Sequence, residues 1–131
     1  MLDTSINWNW YNEYMNTFEQ ALEEIKKEYD VRRMGEYYAQ IDTDILFDAY
    51  NYIFIGVLFE NNQVILTDMA DYAQLFSFVN EEEDLIDIAK ICQRHGIAFH
   101  NYHIECIYHN NDDVKHYLDC LLELSDAYAN I

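Results

Sequence analysis

The chain has 131 residues, 51% of them apolar and 16% aromatic, with no proline and three glycines. That composition predicts one domain with a packed core and excludes a disordered or low-complexity chain. Twenty-five acidic residues stand against seven lysines and arginines, a formal net charge of −18, which excludes a protein that grips a phosphate backbone itself, because cations do that work.

The first ten residues lack the basic and apolar segments of a signal peptide, and the apolar run at residues 52–59 is too short to cross a bilayer. The expected compartment is therefore cytoplasmic. Cys92, Cys106 and Cys120 are odd in number and widely spaced, so each is read as a small buried hydrophobe rather than half of a disulfide.

Tyr11, Met15, Phe18, Leu22, Ile25 and Tyr29 fall on one helical face, which predicts an amphipathic first helix. Glu13, Glu19, Glu23 and Glu24 lie on its far side, and Lys26 and Lys27 suit the negative end of its dipole. Residues 31–48 are rich in strand formers and predict two short strands. Residues 52–59 predict a buried strand, Glu60-Asn61-Asn62-Gln63 a turn, and residues 64–67 the return strand of a hairpin. Residues 68–79 predict a short helix packing Leu75, Phe76 and Phe78. Asn80 caps the next helix, whose acidic first turn suits the positive dipole end. Leu85, Ile88, Ala89 and Cys92 form its core stripe, and Gly96 ends it.

From Tyr102 to Tyr108 the pattern alternates. Tyr102, Ile104, Cys106 and Tyr108 are expected to face the core, with His103, Glu105, Ile107 and His109 opposite. Asn110 or Asn111 then caps a final helix with a stripe of Val114, Leu118, Leu121, Leu122 and Tyr128. The predicted fold is a single α+β domain over residues 1–131. It has an antiparallel sheet of about four to five strands, an N-terminal helix, two middle helices and a C-terminal helix, the helices on one face.

His95, His100, His103, His109 and His116 crowd a short span. Strand alternation sends Cys106 away from His103 and His109, leaving His103, Glu105 and His109, with His116, as metal candidates; a solvated face of titrating histidines has the same pattern. Asp42, Asp44 and Asp48 have the chemistry to chelate Mg²⁺ as in a nuclease. However, no lysine or arginine occurs between Arg33 and Lys90 to hold the substrate. No Gly-rich phosphate loop, G-x-S-x-G elbow or H-E-x-x-H helix occurs either. Neither an enzyme nor a cofactor or bound metal is expected.

Acids and tyrosines interleave in Glu36-Tyr37-Tyr38, Asp48-Ala49-Tyr50-Asn51-Tyr52 and Asp71-Tyr72, and Trp8, Trp10 and Tyr11 add aromatic surface. Tyrosine and tryptophan suit interfaces because they combine contact area with a polar tip. On the final helix Asp112, Asp119, Glu123 and Asp126 share the outer side; an i to i+4 step rises about 6 Å, close to the spacing of successive phosphates on a nucleic-acid strand. Solubility needs a net charge of only about 2–8, and the surplus destabilises the compact state by self-repulsion. A basic partner would compensate it. The candidate partner-binding residues are Asp71, Glu81, Glu82, Glu83, Asp84, Asp112, Asp113, Asp119, Glu123 and Asp126, with Tyr50 and Tyr72 as aromatic anchors. Glu13, Glu19, Glu23 and Glu24 form a second candidate face.

In size, charge, tyrosine content and lack of a catalytic motif, the chain resembles the small acidic DNA-mimic inhibitors of phages, including anti-restriction and anti-CRISPR proteins. The likeness is one of overall character and spans the chain. It implies an inhibitor that occupies the basic nucleic-acid groove of a guide-RNA effector or restriction enzyme. The same electrostatics suits an immunity protein that neutralises a basic nuclease toxin. A small metal-binding protein or enzyme using the histidine strand is a third reading, and an acidic domain whose charge serves only solubility a fourth. The expected partner is a basic nucleic-acid-binding protein rather than nucleic acid or membrane, with a homodimer as the other association.

Overall fold

The computed structural model describes residues 17–69 and 71–129. Residues 17–26 form helix α1, followed by strands β1 (Asp30–Arg33), β2 (Tyr38–Leu46), β3 (Tyr52–Glu60) and β4 (Gln63–Thr67). A 3-10 turn (Tyr72–Leu75), helix α2 (Glu81–Arg94), strands β5 (Ala98–His100) and β6 (His103–Ile107) and helix α3 (Asn111–Tyr128) complete the order. Among the described residues the six strands make one antiparallel sheet in the order β1-β2-β3-β4-β6-β5. The α+β class and the antiparallel sheet are as expected, with, among the described residues, one or two strands more and one helix fewer.

Strand alternation places the core on one side. Ala39 and Ile41 of β2, Ile53, Ile55 and Val57 of β3, and Leu66 of β4 are fully buried, aligned by the pairs Ile41↔Ile55, Ala39↔Val57 and Val57↔Leu66. Against them pack Phe18, Leu22 and Ile25 of α1, Ile88 and Cys92 of α2, and Val114, Tyr117, Leu121 and Leu124 of α3. Leu118, Leu122 and Tyr128 of the expected α3 stripe sit at the margin of this core. Tyr11, Met15, Glu13, Trp8 and Trp10 lie outside the described residues.

Two tight turns fix the register. Asn61 and Asn62 carry φ of 53° and 60° between the paired Glu60 and Gln63, the two-residue hairpin geometry that asparagine tolerates without glycine. Asn101 and Tyr102 repeat it at 49° and 63° between His100 and His103. A left-handed tyrosine is strained; here its hydroxyl donates to Glu81 Oε1 at 2.9 Å. Tyr102 is thus a turn residue rather than the first core position of its strand, and the turn creates β5, which the sequence pattern did not predict. Ile104 is buried, Cys106 and Tyr108 pack inward, and His103, Glu105 and Ile107 face the other way, as the alternation predicts.

The helix expected over residues 68–79 is, among the described residues, the single 3-10 turn. Its residues are needed elsewhere. β4 stops pairing with β3 after Gly56↔Thr67, and Tyr72 fills the vacated edge: its hydroxyl accepts from Phe54 N and shares its one proton between Phe54 O at 3.1 Å and Tyr52 O at 3.3 Å. Farther on, Ser77 N donates to Tyr128 O at 2.6 Å.

Gly56 marks a close approach. A Cβ there would meet Thr67 O at 2.9 Å, Tyr38 Cε1 at 3.1 Å and Thr67 Cγ2 at 3.2 Å. The oxygen belongs to the ladder and cannot withdraw. Gly56→Ala is therefore expected to cost about 1–3 kcal/mol, the usual range for overpacking, read as a lowered urea midpoint with an unchanged denaturant slope.

Candidate protein interface

The few cations are mostly neutralised where they stand. Lys26–Glu23 (3.6 Å), Lys27–Glu24 (2.9 Å), Arg32–Asp42 (3.4 Å), Arg33–Glu19 and Arg94–Glu123 are ion pairs, engaging five of the seven lysines and arginines. Such exposed pairs add little stability, but each spends a cation on an adjacent carboxylate. The surplus of negative charge is left on the surface.

The ten nominated acids do not form one row. Glu81, Glu82 and Glu83 stand exposed on the first turn of α2. Asp84 is turned back to accept from Val79 N (2.8 Å) and Asn80 N (3.2 Å), and Asp113 does the same for His109 N (2.6 Å) and Asn110 N (3.1 Å) at the start of α3. Those two carboxylates are helix caps. Glu123 is clasped by Arg94 and by His95 Nε2 at 2.9 Å, which hold its carboxyl below the usual range and interrupt the line from Asp119 to Asp126. Asp112, Asp119 and Asp126 are exposed.

Two tyrosines each lie beside more than one acid. At one, Asp84 and Asp87 of α2 lie near Tyr128 and add to the effect of burial in raising its phenol. At the other, Asn111 Nδ2 ties α3 to Glu24 O and Glu28 Oε2, both at 2.8 Å. Glu24, Asp113 and Glu28 surround Tyr108 there.

Of the two nominated anchors, Tyr50 is 91% exposed at the tip of the β2–β3 turn. Asp48 builds that turn, accepting from Tyr50 N at 2.9 Å and Asn51 N at 2.8 Å. Tyr72 is buried and committed to the edge of β3, so it is a core residue and not a surface anchor. Asp71 is exposed and lies near both Tyr38 and Tyr72.

The face of the sheet opposite the core escaped sequence reasoning. β3 is apolar on both sides, a pattern that reads as burial on both, yet Tyr52 and Phe54 are exposed. The signal was present in Tyr52, Phe54 and Leu58, whose alternation with Ile53, Ile55 and Val57 required a second apolar surface.

The histidines divide between two places. His100 and His103 stack at 6.1 Å on the outer face of the β5–β6 hairpin, with His100 Nε2 3.0 Å from Glu105. His95, His109 and His116 line a crevice of about 380 Å³ between the end of α2 and the start of α3. Among the described residues no three histidine, cysteine or acidic side chains come together in a way that could hold a metal ion. No helix among them is long and apolar enough to cross a membrane. No protein family matches the chain, and no curated protein or solved structure is similar to it.

Proposed function

We propose that this chain is an acidic protein inhibitor that binds the basic nucleic-acid groove of a target enzyme by DNA mimicry, in the manner of anti-CRISPR or anti-restriction proteins. The observation that carries the reading is the charge left after pairing. The net of −18 already counts all seven lysines and arginines, and five of these are paired with neighbouring carboxylates rather than gathered into a basic patch. A surface of that sign is steered to basic clefts and repelled by nucleic acid.

The test is DNA binding by a panel of purified guide-RNA nucleases, restriction enzymes and basic nuclease toxins, titrated with this protein in a gel-shift assay. Stoichiometric loss of DNA binding by one of them, weaker as salt rises, is the expected result. DNA binding left intact across the panel at low salt, even at large molar excess, would sink the proposal. Inhibition confined to a toxin would move it to the immunity-protein form.

A further inference from the structure

β2, β3, β4 and β6 send apolar side chains out of both faces of the sheet, and among the described residues the helices pack on one of them. On the other face Tyr38, Leu58, Ile65 and Ile107 form a continuous row across four strands, through the pairs Tyr38↔Leu58, Leu58↔Ile65 and Ile65↔Ile107. Phe54, Tyr52 and Leu46 extend the apolar surface toward the β2–β3 turn. Tyr52 and Leu46 are each about half exposed, at 51% and 50%. Between the row and Phe54, the Tyr38 ring and the Thr67 methyl lie over Gly56, and exposed apolar surface on a sheet face is where a partner docks. The acids beside it are Asp42 on β2, Glu105 on β6 and Asp71 near Tyr38. Arg32, which shares this face, is held by Asp42, and His100 by Glu105.

We propose that this sheet face, on which none of the described helices packs, is the surface that docks the basic partner, and that it selects arginine over lysine. The inference rests on the inhibitor reading above. A guanidinium stacks on an aromatic face while its fork pairs with a carboxylate, whereas an ammonium offers only a point charge. Tyr52 and Phe54 supply the rings, and Asp42, the register partner of Phe54, supplies the carboxylate on the adjacent strand, where an incoming guanidinium would displace Arg32 from its long 3.4 Å pairing. A second copy of the chain fits this face poorly. Two-fold docking would bring Asp42, Asp71 and Glu105 against the like face of a molecule that also carries −18.

Calorimetric titration of the full chain with oligo-arginine and oligo-lysine peptides of equal length, at one ionic strength, tests the selectivity. Oligo-arginine is expected to bind several-fold tighter. The double variant Tyr52→Ser/Phe54→Ser should lose that preference while keeping its circular dichroism, and Glu82→Gln/Glu83→Gln on α2 should retain it. Equal binding of the two peptides, or loss of the preference in the α2 variant alone, overturns the proposal. So does a dimer in sedimentation that the double variant disperses, or nuclear Overhauser contacts from residues 1–16 onto Ile65 and Ile107 in the free monomer. The gel-shift panel reads the inhibitor proposal separately: inhibition that survives in the double variant removes the sheet face and leaves the inhibitor standing.

Discussion

Replacing Asp68 by alanine is expected to destabilise the fold by about 3 kcal/mol or more, from two lost charge-assisted hydrogen bonds and the donors they leave unmet. Asp68 is only 3% exposed. Its Oδ1 accepts from Ile104 N at 2.9 Å and its Oδ2 from Tyr72 N at 3.3 Å, while its own N–H donates to Ile104 O at 3.3 Å. Tyr117, fully buried on α3, donates to the same Ile104 oxygen at 2.6 Å. One carboxylate thus joins the end of β4, the 3-10 turn and β6, at the place where the chain returns to the sheet after α2 and β5. Without it Ile104 N and Tyr72 N face a cavity with no acceptor. Asp68→Asn retains one oxygen but sets an amide against one of the two donors, so about 1–2 kcal/mol is expected for it. Urea midpoints of the two variants check the order. A loss under about 1 kcal/mol for the alanine variant would show that the β4–β6 ladder holds the crossover unaided.

What the sequence disclosed and what it withheld follow the range of the interactions involved. Gly96 does end α2: its φ is +74°, and Ile97 N reaches back to Cys92 O at 2.9 Å, as a local cap requires. Asn110 caps α3 with Asp113 completing the box. Phe18, Leu22 and Ile25 are buried where periodicity put them. Each is settled within a few residues of chain. β5 was hidden because it is three residues long and its turn uses Asn101-Tyr102, without glycine or a polar cluster. The false helix at 68–79 arose because Tyr72 and Asp68 make their bonds to Phe54 and Ile104, partners that no local pattern displays.

The candidate site divides along the same line. The acidic surplus was legible from composition, and Tyr50 was singled out by the interleaving of acids and tyrosines around it. That Arg94 and His95 reach across from α2 to Glu123, breaking the expected carboxylate row along α3, depends on how two helices pack. Burial of Tyr72 is a tertiary fact of the same kind. So is the outer face of β3: a strand apolar on both sides shows that two surfaces need cover, but only the fold shows which one the described helices take.

Stability is also expected to fall steeply once the pH passes 10. Tyr117 is wholly enclosed, and burial, with a smaller contribution from the charge of Asp68, holds its phenol well above the ordinary value of 10. Tyr72 is raised the same way, against a partial offset from the Phe54 N–H bond. Burial pushes Tyr108 up to about 12, and the Cys106 thiol from 9 to about 12. The unfolded chain releases these protons near the ordinary values, while the folded chain keeps them. Above pH 9 for the thiol, and above pH 10 for the phenols, the native state therefore binds more protons, and the slope of unfolding free energy with pH is negative. The stability these groups contribute is complete below those values and is lost as pH rises toward the folded ones. Each retained proton contributes about 1.4 kcal/mol per pH unit, so Tyr72 and Tyr117 together remove about 3 kcal/mol per unit above pH 10. A domain of ordinary stability, about 5–15 kcal/mol, can withstand only a few units of that. Urea midpoints measured from pH 8 upward, with tyrosinate absorbance in parallel, test the argument. The buried phenols should ionise together with the loss of circular dichroism, not before it, and Tyr117→Phe should flatten the slope by about one proton. Smooth ionisation of every tyrosine near pH 10 with the fold intact would mean that water reaches Tyr72 and Tyr117, and that the core joining the sheet to α3 is looser than its packing implies.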